Sequence, residues 1–111
     1  MEINGRKISS LHPPYIIAEM SANHNGEINN AYKIIDMAKS EGIRFNIGSL
    51  LESGVGRRAC LHMASAYEIS EECGLSTGGL FSSDICSFPD ITDGICTISN
   101  QIGIGEKDVT L

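Results

Sequence analysis

The feature that most constrains the fold of this chain is an apolar run that is followed closely by a helical pattern. Residues 15–20, YIIAEM, are almost continuously apolar, as in a parallel strand that is covered on both faces. From Ile28 the apolar residues recur every three or four positions as far as Ala38, and Gly42 marks the stop. The pattern predicts a strand, a helix and then a second strand over about 43–51.

The same alternation is repeated once along the chain. After the second predicted strand, the sequence ESGVGRR contains two glycines that allow a tight turn, and a second helical pattern then runs to Gly74. Before the first strand, Pro13 and Pro14 end a short arm with a hairpin signal at Asn4 and Gly5. Beyond Gly74, short apolar pieces broken by Gly, Pro, Asp and Ser indicate loops with one or two short strands.

These patterns predict an α/β fold: an incomplete (β/α) TIM-barrel-type fragment with two parallel βα units and an irregular carboxyl-terminal tail. At 111 residues the chain is far shorter than the roughly 250 residues of a complete barrel of this type. We expect one physical domain whose open sheet edges invite pairing, and therefore a homo-oligomer.

Charge and composition narrow the class of partner. The formal net charge is -6 and the isoelectric point is about 4.9, which argues against nucleic acid and anionic membrane surfaces as partners. No apolar run approaches the ~18 residues that span a bilayer, so we expect a cytoplasmic protein. The four cysteines have no CxxC spacing, which favours reduced, packed thiols: Cys60, Cys73, Cys86 and Cys96.

The first 41 residues resemble the start of the sialic acid synthase family. The stretch PPYIIAEMSANHNGEINNAYKIIDMAKSEG is similar to that family's first barrel strand, loop and helix. The resemblance implies a metal-dependent condensation of phosphoenolpyruvate with an N-acetyl amino sugar. It also implies that Glu19 lies in the active site and that Asn23 and His24 match the family's NH motif. The lysine that the family carries on its second strand has no counterpart in this chain.

From residue 43 to the end, the chain resembles the closing segment of the enolase superfamily. The stretches GSLLESGVGRRACLHMASA, GGLFSSDI and DITDGICTISNQIGIG are similar to the muconate cycloisomerase, o-succinylbenzoate synthase and dipeptide epimerase branch. Glu52 occupies the position of an acidic residue at the end of that branch's last strand. The resemblance implies Mg²⁺-assisted proton abstraction next to a carboxylate, yet that branch's lysine pair and three metal-binding carboxylates have no counterpart here. The two resemblances divide the chain into 1–42 and 43–111.

The candidate site follows from the predicted parallel strands, whose carboxyl ends share one edge. Glu19 and Glu52 would then both project toward this edge and could act as acid and base or hold a divalent metal, Mg²⁺ or Mn²⁺. The alternative is that each carboxylate is solvated or caps a loop. The predicted catalytic residues are Glu19, His24 and Glu52, and the predicted substrate-binding residues are Asn23, Ser53 and Arg57.

Two features of this site have simpler readings. A lone histidine such as His24 is more often hydrogen-bonded than catalytic. The glycines and arginines of ESGVGRR could bind an anion at a helix start, where Arg57 and Arg58 need either solvent or a negative partner. A tight turn with exposed arginines is the alternative.

Three functions remain open from the sequence. The first is sialic-acid-synthase-like condensation, and the second is enolase-superfamily isomerase or lyase chemistry on a small-molecule carboxylate. The third is a non-enzymatic binding or interaction fragment without a cofactor. We favour a fused or truncated fragment that is inactive alone.

Overall fold

The computed structural model describes residues 1–3 and 5–105, and contacts divide the chain into two units, Met1–Glu41 and Gly42–Leu111. The regular elements in chain order are β1 (Glu2–Ile3), β2 (Arg6–Lys7), a 3-10 turn (Ser21–His24), α1 (Ile28–Ser40), α2 (Gly54–Ala66), a second 3-10 turn (Thr77–Leu80), β3 (Ile91–Thr92) and β4 (Ile95–Cys96). The boundary of 1–42 and 43–111 inferred from the two resemblances stays a prediction.

The first unit begins with the hairpin that the sequence predicts. Strand β1 pairs antiparallel with β2, with Glu2 opposite Lys7 and Ile3 opposite Arg6. Gly5 in the turn has φ +74, a conformation that glycine adopts without steric cost. Asn4, the other predicted turn residue, lies outside the described residues.

Helix α1 confirms the helix predicted from Ile28. Ala31 and Ile35, one turn apart on the apolar stripe, are buried, and the 3-10 turn Ser21–His24 packs against the helix. The helix ends where Glu41 N–H donates to the carbonyl of Met37 and Gly42 turns to φ +64.

The strand predicted over 15–20 is wrong. Residues 15–20 have no regular secondary structure, and the side chains of Ile16 and Ile17 are 82% and 75% exposed. A parallel strand is stable only between neighbouring strands and beneath covering helices, and no strand pairs with this segment in the described part of the chain. An apolar run therefore did not suffice to make a strand.

Helix α2 forms in the second unit, but its limits differ from the prediction. It begins at Gly54, inside the predicted glycine turn, and ends at Ala66, well before the predicted stop at Gly74. The chain leaves the helix at Glu68, which has φ +53. Ala64 is buried, whereas three apolar residues of the same segment are half-buried: Cys60, Met63 and Tyr67.

The strand predicted over 43–51 is also wrong, and so is the barrel-type fragment built on it. This segment makes one parallel bridge, between Gly48 and Gly74, in which Ser49 N–H donates to the Gly74 carbonyl at 2.9 Å. Gly74 N–H in turn donates to the carbonyl of Ile47 at 2.9 Å. Parallel ladders need more strands than the described residues supply, so pairing stops after one bridge. The described residues hold two antiparallel two-stranded sheets and two α-helices instead.

The carboxyl-terminal part confirms the expected loops and short strands. Strand β3 pairs antiparallel with β4, and Gly94 with φ +78 lies in the tight turn between them. The core of this unit is small, and its buried apolar residues are Ala64, Leu75 and Cys86. In the described residues, no helix is long and apolar enough to cross a membrane.

Candidate functional site

The start of α2 carries the most densely bonded polar cluster of the second unit. The Asp84 carboxylate accepts from the Gly54 N–H with both oxygens, at 2.9 and 2.8 Å. The Arg57 guanidinium donates to the same carboxylate at 2.8 Å, which makes a charged hydrogen bond. The first N–H groups of a helix lack intrahelical partners and carry a positive partial charge, so they favour an anion. In this chain that anion is Asp84.

Arg57 is held on several sides besides its ion pair. The residue is 5% exposed, and its guanidinium lies 4.6 Å from the centre of the Phe88 ring, within cation–π range. Gly78 covers the guanidinium so closely that a Cβ at residue 78 would overlap it. Its Nε atom has no hydrogen-bond partner among the described residues. Arg57 is thus a buried structural cation rather than the exposed side chain of a turn.

Arg58, the next residue, is also buried, at 6% exposure. Its Nε donates to the Ser87 carbonyl at 2.7 Å, and one terminal nitrogen donates to the Gly105 carbonyl at 3.1 Å. The other terminal nitrogen lies 3.3 Å from the Ser87 hydroxyl. The tight turn with exposed arginines is therefore wrong, because both guanidinium groups bind other segments of the chain.

The environment of Asp84 stabilises its charged form. The Gly54 N–H is the main cause that lowers the pKa of Asp84; desolvation opposes it, and Arg57 and the N–H groups of Cys86 and Ile85 lower it further. Because the folded pKa is below the unfolded one, this carboxylate contributes stability above its unfolded pKa. The contribution is lost as the pH falls through the folded pKa.

Glu52 and Ser53 lie immediately before α2. Ser53 is the N-cap residue, and its carbonyl accepts from Arg57 N–H at 3.0 Å, although its hydroxyl makes no capping bond. Glu52 is half-buried, and its Oε1 accepts from the Leu50 N–H at 3.3 Å. A Cβ at Gly56 would lie 3.0 Å from Glu52 Oε2, so the glycine leaves room for this carboxylate beside the helix.

The Glu52 carboxylate also faces a thiol. Cys60 Sγ lies 3.8 Å from Glu52 Oε2. Burial is the main cause that raises the pKa of Cys60, and the charge and hydrogen bond of Glu52 raise it further. The Cys60 thiol is therefore less ionised than a free cysteine at neutral pH.

This contact predicts a change in the reactivity of Cys60. We expect Glu52→Gln to increase the rate at which iodoacetamide alkylates Cys60 severalfold at pH 8, because the thiolate is the reactive form and the substitution removes a negative charge beside it. Peptide mass spectrometry measures the rate at each cysteine. Glu72→Gln, an exposed substitution in the same unit, serves as the control. An unchanged Cys60 rate in Glu52→Gln would show that the two side chains do not interact.

The three candidate residues of the first unit lie mostly on the surface. Glu19 and Asn23 are exposed, and His24 is half-buried. His24 Nδ1 accepts from Gly26 N–H at 3.1 Å, and the His24 carbonyl accepts from the Asn30 side-chain amide at 3.3 Å. These contacts agree with the simpler prediction for His24, a locally hydrogen-bonded histidine. The catalytic role of His24 stays a prediction.

The structure brings some of the predicted residues together and not others. Glu52, Ser53 and Arg57 surround the start of α2, whereas Glu19 belongs to the other unit. The common sheet edge on which Glu19 and Glu52 were expected to meet does not exist in the described residues. Asp84 was not predicted from the sequence; the two arginines near the start of α2 indicated a need for an anion but not which residue supplies it.

The divalent metal that both resemblances imply does not fit the residues of this cluster. Metal sites need several converging ligands, and no group of three or more His, Cys, Asp or Glu side chains converges among the described residues. Both oxygens of Asp84 are already used by Gly54 and Arg57. Glu52 is left as a single carboxylate, which is too few ligands to hold a metal in this cluster.

Comparison with known proteins supports the resemblance to the o-succinylbenzoate synthase branch of the enolase superfamily. The chain is 30% identical over 92 residues to an o-succinylbenzoate synthase from Desulfotalea psychrophila (strain LSv54 / DSM 12343). The match covers 83% of this chain but 24% of that protein, so the chain spans about a quarter of the length of its curated relative. No protein-family model and no solved structure matches. The comparisons give no support to the sialic acid synthase resemblance.

The match includes the whole cluster at the start of α2. At most 19 of the 111 residues lie outside a match of 92, so residues 20–92 are inside it wherever it begins. Glu52, Arg57 and Asp84 therefore belong to the stretch that is similar to the o-succinylbenzoate synthase.

Proposed function

We propose that the second unit serves enolase-superfamily chemistry, the removal of a proton next to a carboxylate, with Glu52 as the group that takes the proton. The observation that carries this proposal is the similarity to an o-succinylbenzoate synthase over a stretch that includes Glu52 and α2. The substrate class is a small-molecule carboxylate, and the reaction class is isomerisation or elimination.

The contacts of Glu52 suit proton transfer. The carboxylate is half-buried and oriented by the Leu50 N–H, while Asp84 and Arg57 fix the helix behind it. A general base acts from a fixed position within hydrogen-bond reach of the proton that it removes. Glu52 takes the proton, the two electrons of the C–H bond stay on the substrate as an enolate, and the protonated Glu52 can return the proton to carbon.

An exchange experiment tests this role. The full chain is incubated in D₂O with N-acetyl amino acids, once with Mg²⁺ and once with EDTA, and ¹H NMR follows the loss of the α-proton signal. We expect exchange above the protein-free rate, and a decrease of about 100-fold or more in Glu52→Gln, the usual scale of general-base catalysis.

Glu72→Gln is the matched control, because Glu72 is an exposed glutamate of the same unit. Its exchange rate is expected to equal that of the natural sequence. Exchange no faster than without protein in both buffers, or equal rates in Glu52→Gln and Glu72→Gln, would contradict the proposal.

A non-enzymatic binding role is the second candidate, and one observation favours it. The groups at the helix start that could bind a substrate anion are already occupied, since Asp84 accepts from Gly54 N–H and pairs with Arg57. Under this alternative, the polar cluster stabilises the fold and function lies on another surface. Absence of exchange in the experiment above is the result that this candidate predicts.

A further inference from the structure

A wide groove lies in the second unit, away from the start of α2. Its volume is about 1100 Å³, and it is open to solvent along the last turns of α2, the segment 68–76 and the β3–β4 hairpin. Its apolar lining includes Leu61, Ile69, Leu75, Phe88, Ile91 and Ile98. The groove is slightly larger than the roughly 300–1,000 Å³ of small-molecule sites, so it can accept several side chains at once.

The charged residues of this groove are all acidic. Glu68, Glu71, Glu72 and Asp93 line it, and none of the described residues that line it is Lys, Arg or His. Glu71 faces Arg44 at 3.6 Å, whereas Glu68, Glu72 and Asp93 are exposed. Apolar surface bordered by one sign of charge attracts a ligand that is apolar along one side and oppositely charged along its margins.

The end of α2 adds to the negative potential. The last turn of the helix contributes Ala64 and Ser65 to the groove and contains no basic residue. A helix carries a negative partial charge at its carboxyl end, where cations are favoured. The carboxyl end of the helix and the acidic side chains therefore both favour a positively charged ligand.

We propose that this groove docks a basic amphipathic segment of another protein, with apolar side chains in the groove and Lys or Arg at its acidic margin. A second copy of this chain is a poor occupant, because each copy carries a net charge of -6. An anionic membrane is repelled for the same reason. The inference is independent of the exchange chemistry proposed for Glu52.

A peptide-binding experiment tests the charge requirement. A fluorescein-labelled amphipathic peptide of alternating leucine and lysine clusters is titrated with the full chain, and anisotropy reports binding. A second peptide carries glutamate in place of every lysine. We expect the basic peptide to bind and the acidic one to bind at least tenfold more weakly. We also expect the affinity of the basic peptide to fall as salt is raised, since exposed charges are screened.

Two triple variants separate this groove from general charge attraction. Glu68→Gln/Glu72→Gln/Asp93→Asn removes three groove charges, and Glu2→Gln/Asp36→Asn/Glu41→Gln removes three exposed charges of the first unit. The first variant is expected to bind the basic peptide about tenfold more weakly, and the second less than twofold. Equal weakening in both variants would overturn the proposal, as would equal binding of the two peptides or no binding of the basic one.

One pair of single variants tests the apolar contact. Ile91 lines the groove, while Ile95, in the same hairpin, does not and is 70% exposed. Ile91→Ser is expected to weaken peptide binding severalfold, and Ile95→Ser to leave it unchanged, with the circular dichroism spectrum confirming that both fold. A larger loss in Ile95→Ser than in Ile91→Ser would place the peptide elsewhere and overturn the proposal.

Discussion

Replacing Arg57 by alanine is expected to lower the free energy of unfolding by about 1.5–3 kcal/mol, the range for a hydrogen bond to a charged group. Arg57 is 5% exposed, bonds Asp84 at 2.8 Å and lies over the Phe88 ring at 4.6 Å. The substitution removes all of these contacts and leaves a void beneath Gly78. The cost stays below that of breaking a fully buried ion pair, because Asp84 keeps its bonds to the Gly54 N–H and its side chain is 19% exposed.

Urea unfolding followed by circular dichroism measures this loss, and Arg44→Ala supplies the comparison. Arg44 also forms an ion pair, with Glu71 at 3.6 Å, but its side chain is 46% exposed. Exposed pairs contribute roughly 0–1 kcal/mol, so Arg44→Ala is expected to change stability little. If the two arginine variants unfold at the same urea concentration, the Arg57 cluster does not stabilise the fold.

The helices were predictable because the information that forms them is local. The apolar spacing of α1, with Ala31 and Ile35 on one side, is visible in thirteen consecutive residues. The two predicted strands depended on partners elsewhere in the chain. Among the described residues, no strand lies beside residues 15–20, and residues 43–51 gain one bridge at Gly48. An apolar run indicates that a segment favours burial, but it does not indicate that a sheet is present for the segment to join.

The candidate site was predictable to the same limited extent. Three of the predicted residues are near each other in space because they are close in sequence, as the stretch ESGVGRR shows: Glu52, Ser53 and Arg57. Asp84 is separated from Arg57 by 27 residues, and a single aspartate after two serines carries no local signal. The requirement for an anion beside two arginines at a helix start follows from electrostatics, whereas the identity of that anion follows from the path of the loop. That path also sets the start of α2 at Gly54.

Replacing Gly54 by alanine is expected to destabilise the fold by about 1–3 kcal/mol, the range typical of overpacking. A Cβ at this residue would overlap the carbonyl oxygen of Cys86 and crowd its Sγ. Since the obstacle includes backbone, rotation of a flexible side chain cannot remove it. The shift that relieves the overlap must move Cys86 away from the helix, and Asp84, two residues earlier, moves with it. The Asp84 bonds to Gly54 N–H would lengthen as a result.

Gly79→Ala is the control for this substitution, because a Cβ at Gly79 meets nothing within 4 Å. Replacing an unstrained glycine restricts the unfolded chain, so Gly79→Ala is expected to be neutral or stabilising by up to about 1 kcal/mol. The same urea experiment compares the two variants. Equal stability would mean that the loop carrying Asp84 and Cys86 does not press against the start of α2. The loop would then not hold Asp84 in place as the ion-pair partner of Arg57.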